Sequence, residues 1–115
     1  MPNSIPFVKL SATGNDFVLF MNKNMMFNGD EIDLFKGVCH RQFGVGADGV
    51  LLIERCDGYD FRLRYFNADG RESEMCGNGA RAAAYFAFHR GIAPVESRFI
   101  IAEVEYQAII EGRTV

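Results

Sequence analysis

A chain of 115 residues, 49% apolar and 23% charged, suits one soluble globular domain with a single core. Its net charge of −3, with no cluster or stripe of lysine and arginine, argues against nucleic acid as a partner. No apolar run reaches membrane-spanning length, and the opening MPNSIPFVKL has neither a basic head nor an apolar signal core, so no membrane is expected and the cytoplasm is the default location.

In chain order, residues 5–11 and 16–22 read as two strands joined by a tight turn at Thr13-Gly14-Asn15-Asp16. Residues 30–44 read as a helix. Asp30 is its expected cap, Ile32, Phe35 and Val38 share one face, and Gly44 is the expected stop. GVGADG follows as a glycine-rich loop. It lacks the Lys-Ser/Thr of a phosphate loop, so nucleotide binding is not expected. VLLIERC is a short apolar run of the buried-strand type. A hairpin turn at Cys56-Asp57-Gly58 leads into a second strand, which alternates Tyr59, Phe61, Leu63 and Tyr65 with Asp60, Arg62 and Arg64. NADG is a turn, residues 78–90 a helix ended by Gly91, and residues 98–112 one or two strands. The pattern predicts one α+β domain over residues 1–115, mostly antiparallel sheet. The second helix carries Ala82, Ala83, Ala84, Phe86, Ala87 and Phe88. With almost no polar face, it should be buried with the sheet wrapped around it.

The cysteines, Cys39, Cys56 and Cys76, are odd in number and widely spaced. With no CxxC pair and only His40 and His89 beside them, neither a metal site nor a disulfide framework is expected. Cys39 and Cys56 read as small buried hydrophobes. Cys76 stands apart, because no apolar pattern claims it and the turn Gly77-Asn78-Gly79 opens the helix just after it. A helix N-terminus lowers a thiol pKa and offers unpaired N–H groups to a carboxylate or phosphate. Gly77 lets a ligand approach the backbone, while Asn78, Asn15 and Asn67 are neutral polar groups suited to an amino-acid-like substrate. The competing reading is a plain tight turn with a packed cysteine.

GNDFV, GVGADGVLLIE and FNADGRESEMCGNGARAAAYF resemble, in order, the N-terminal half of the diaminopimelate epimerases. Proline racemases and phenazine-biosynthesis-type isomerases share that fold without this full set of blocks. The resemblance implies a PLP-independent isomerase with no cofactor, interconverting LL- and meso-diaminopimelate for lysine and peptidoglycan. Two cysteines would flank the substrate α-carbon, one as thiolate and one as thiol. Cys76 matches the first of them, and Asn15, Asn67, Gly77 and Asn78 match substrate-binding positions. Two departures stand out. Gly49 occupies a position where many members have a substrate-contacting Gln, and FIIAEVEYQAII replaces the family's Thr-x-x-Gly hairpin.

The second half, with the second cysteine and a substrate-gripping Glu-Arg pair, lies outside these 115 residues. The isolated half is therefore expected to lack epimerase activity, that is, to invert no substrate. Two other readings remain: a non-catalytic amino-acid-binding or assembly domain, and another PLP-independent racemase. A homodimer pairing two copies of Cys76 is a further arrangement, the alternative to a separate C-terminal half as partner.

Overall fold

The computed structural model describes residues 5–12, 14–73 and 77–110. Its elements are β1 (Val8–Ala12), β2 (Asn15–Met21), α1 (Ile32–Cys39), β3 (Gly49–Glu54), β4 (Phe61–Asn67), β5 (Glu72–Ser73), α2 (Gly77–His89), β6 (Glu96–Ile101) and β7 (Val104–Ile109). The strands form one mixed sheet in the order β1-β2-β3-β4-β6-β7, with β5 added to β4. Two pairings are parallel, β2 with β3 and β4 with β6. A parallel pair needs a crossover, and the two helices lie in those two connections. The remaining pairings are antiparallel, so the α+β expectation holds.

Alternation along the strands builds two cores, one on each side of the sheet. Phe17, Leu19, Leu51, Ile53, Phe61, Leu63, Phe99 and Ile101 pack with Ala83, Ala84, Phe86 and Ala87 of α2. Val18, Phe20, Val50, Leu52 and Phe66 pack with Phe35 and Cys39 of α1. All of β3 is buried, because both faces are covered, and this is why its sequence is a continuous apolar run. The alanines of α2 let the helix lie close to the strands, as its composition predicts. The second layer, α1 on the opposite face, was not assigned from the sequence.

Several boundaries differ from expectation. Asp30 does not cap α1. Glu31 holds the cap position without a side-chain cap bond, and its carboxylate accepts from the N–H of Asn28 (3.1 Å) and of Gly29 (2.9 Å) instead. The helix ends at Cys39, well before Gly44. The GVGADG loop then closes it, with Gly46 N–H donating to Val38 O (3.0 Å) and Ala47 N–H to Cys39 O (3.1 Å). Gly44 is fixed by close approach: a Cβ there would lie 2.0 Å from Gly37 O. The last segment resolves into two strands, β6 and β7, turning at Ala102 with φ +55°. Cys39 is buried, as expected, whereas Cys56 is only half-buried in the hairpin turn. No helix among the described residues is long and apolar enough to cross a membrane.

Candidate functional site

Three core rows end in polar or glycine residues at one edge of the sheet. On the face covered by α2, the row Leu19–Phe17 continues to Asn15, Ile53–Leu51 to Gly49, and Leu63–Tyr65 to Asn67. Register aligns these ends, since Phe17 pairs with Gly49 and Gly49 with Asn67. The helix α2 begins at the same end. Asn78, its second residue, donates from Nδ2 to Asn15 Oδ1 at 2.7 Å.

That bond belongs to a longer array. Arg81 Nη2 donates to Asn78 Oδ1 (3.0 Å), and Asn15 Nδ2 donates to Asp48 Oδ2 (3.4 Å). The same Asp48 oxygen accepts the Asp16 N–H at 2.8 Å, while Asp48 N–H donates to Asp16 O at 2.9 Å. One guanidinium, that of Arg41, spans both carboxylates, at 3.0 Å from Asp16 Oδ2 and 3.1 Å from Asp48 Oδ1. The Ser11 hydroxyl donates to the other oxygen of Asp16 at 2.8 Å. These bonds, Ser11 first and Arg41 second, hold the Asp16 carboxyl below its ordinary pKa.

Of the expected site residues, Asn15 and Asn78 touch directly, Asn67 ends the neighbouring row, and Gly77 is the first residue of α2. Cys76, the residue before Gly77, lies outside the described residues. Gly49 is held by close packing. A Cβ on it would fall 2.6 Å from Tyr65 Cε1 and 2.7 Å from the backbone oxygen of Phe66, so this backbone leaves no room for a glutamine. His40 is a local turn acceptor, its Nδ1 taking the N–H groups of Gln42 and Phe43 at 3.1 Å each, and His89 packs at a tilt against the Tyr85 ring. Among the described residues no group of three or more His, Cys, Asp or Glu side chains is arranged to hold a metal.

Arg41, Asp48, Asp16 and Arg81 were missed as a functional group. Asp48 was visible only as the acid of GVGADG. Arg41 carries no local signal, because its partners Asp48 and Asp16 lie 7 and 25 residues away and meet it only in the fold. Chemically, the array offers carboxamides beside a helix start, a combination that suits a small zwitterion better than a polyanion.

The family model for diaminopimelate epimerase matches residues 7–104. A diaminopimelate epimerase of Nitratiruptor sp. is 43% identical over 94% of this chain and 42% of its own length. One from Moorella thermoacetica is 40% identical over 92% of this chain and 39% of its own. This chain thus spans less than half the length of those relatives. Among solved structures, a phenazine biosynthesis protein of the PhzF family from Enterococcus faecalis superimposes with a TM-score of 0.74 at 16% identity, covering 95% of this chain and 41% of that one. A predicted epimerase from Pseudomonas aeruginosa gives 0.67 at 15%, covering 96% and 40%. At such identities these two likenesses bear on the fold alone.

Proposed function

The chain belongs to the diaminopimelate epimerase family, and from that premise we propose that it is the N-terminal half of a PLP-independent epimerase acting on diaminopimelate. In this role it would serve lysine and peptidoglycan synthesis in the cytoplasm. The observation that carries the reading is the Asn78–Asn15 hydrogen bond, which ties the start of α2 to the β1/β2 hairpin beside the row ending in Asn67. The four substrate-binding positions expected from the sequence, Asn15, Asn67, Gly77 and Asn78, stand at that one edge.

Cys76 is the base in this reading. The helix start stabilises its thiolate, which removes the α-proton on one face of the substrate carbon. The same N–H groups and the carboxamides hold the substrate's α-carboxylate. Inversion needs a second acid on the opposite face. Neither Cys39, buried under the sheet, nor Cys56, in the β3/β4 turn, is placed at a helix start. The second thiol therefore comes from a separate half of the molecule.

The test is to incubate the chain with LL-diaminopimelate in deuterated water and follow α-deuterium and meso product separately. The expected result is α-exchange that Cys76→Ala abolishes, with no meso product. An absence of exchange, or exchange surviving Cys76→Ala, would refute the assignment of the base. Meso product formed by this chain alone would refute the half-site.

A further inference from the structure

The array at the sheet edge has an acceptor-only end and a donor-only end. Asp48 is a carboxylate and can only accept, so Asn15 must turn its NH2 toward it. The carbonyl oxygen of Asn15 is thereby aimed at α2, and Asn78 must present its own NH2 there. This leaves the Asn78 oxygen facing Arg81, whose guanidinium can only donate. Two carboxamides, each able to flip in isolation, have one orientation between these ends. Asp48 is itself held, since the Arg41 fork spans Asp48 and Asp16 and offsets the repulsion between the two neighbouring acids.

We propose that Asp48, clamped by Arg41, and Arg81 are positioning residues that fix the orientation of the Asn15 and Asn78 carboxamides at the start of α2. The proposal deepens the functional reading above and rests on it for its consequence: each carboxamide then presents one remaining N–H in a set direction to the substrate. None of the three residues needs to touch the substrate. Their exposure argues against a role in holding the fold, because the Arg41 side chain is 56% exposed and Asp48 39% exposed. Exposed ion pairs add little stability, so an effect of these residues on the carboxamides should separate from any effect on melting.

The test uses the 115-residue chain and nuclear magnetic resonance of its asparagine side chains, which requires no activity. Asp48→Asn keeps the shape but adds a donor, and Arg81→Met removes the other end. In each, the Asn15 and Asn78 carboxamide signals should shift or double and their hydrogen exchange should quicken by about tenfold, the loss expected for one net hydrogen bond. Arg41→Met should do the same through Asp48. Arg81→Lys keeps a donor and should restore the wild-type signals. The melting midpoint and the core amides of β3 should stay unchanged throughout. In α-proton exchange the same variants should raise KM with kcat nearly constant. Carboxamide signals that ignore both Asp48→Asn and Arg81→Met would overturn the proposal, as would shifts spread equally over the β3 core. Failure of α-exchange with the carboxamide response intact would instead count against the epimerase reading alone.

Discussion

The strands β2 and β3 carry an asparagine and an acid at each end, and the two ends behave oppositely. At one end Asn15 and Asp48 are partly exposed, and their carboxamide and carboxylate contacts run along the surface toward Arg41 and Arg81. At the other, Asn22 and Glu54 are almost fully buried. Asn22 Nδ2 donates to Glu54 and to Phe27 O (2.7 Å), and its Oδ1 accepts from Phe27 N–H (2.9 Å). Arg64 reaches the same Glu54 at 3.4 Å and grips Glu72 twice, at 2.7 and 2.8 Å. The same pair of residue types thus serves as a brace where it is buried and saturated. Where it is partly exposed beside a helix start, its contacts lie open to solvent. Burial, not residue identity, separates the two ends.

The sharpest way to break this contrast is at the brace. Asn22→Ala would leave the Phe27 backbone groups and Glu54 short of partners in a dry place, and should cost roughly 2–4 kcal/mol of stability by urea denaturation. A loss no greater than that of an exposed substitution would erase the distinction between the ends. Next in size, Ala83→Leu or Ala87→Leu should cost about 1–3 kcal/mol by overpacking, since both side chains are fully buried between α2 and the sheet. Unchanged thermal melts in both variants would mean that α2 does not lie against the strands.

These two predictions also show what was legible. The burial of α2 could be read from Ala82 to Phe88, because a helix without a polar face has nowhere else to go. The β4 alternation and the apolar run of β3 could be read for the same reason: burial on one face or two leaves a local pattern. The brace left none. Asn22 and Glu54 are 32 residues apart and meet only because β2 and β3 pair in parallel. The α1 boundary was misread because its end is closed by backbone donors from Gly46 and Ala47, not by a residue type at Gly44. At the site, the asparagines stood in glycine-rich turns and could be picked out. Arg41 and Arg81 act through partners, and the sequence holds no mark of that.

A smaller effect concerns acid. The Glu72 carboxyl lies below its ordinary pKa, chiefly through the hydrogen bonds from Arg64. A depressed carboxylate contributes its stability above the unfolded value, near 4.3, and loses it as pH falls through the folded value. Stability of the wild type relative to Glu72→Gln should therefore be constant from pH 6 to 8 and shrink below about pH 4. A difference independent of pH would show that the pair is not ionic in the fold. The smallest change expected is Arg41→Met, whose denaturation midpoint should match the wild type within error, because its two ion pairs face solvent. A clear loss there would make the open end a second brace.

We propose the start of α2, rather than the sheet or its hairpins, as the reactive place of this chain. Competitive iodoacetamide labelling of the native chain at neutral pH, read by peptide mapping, tests it most directly. Burial pushes the Cys39 thiol up and shields it, so it should label slowest. Cys56 is accessible in its turn but has no helix start behind it, and should react as an ordinary thiol. Cys76 should label fastest, with diaminopimelate slowing it and leaving Cys56 unaffected. Labelling of Cys76 no faster than Cys56, with no response to diaminopimelate, would contradict the claim.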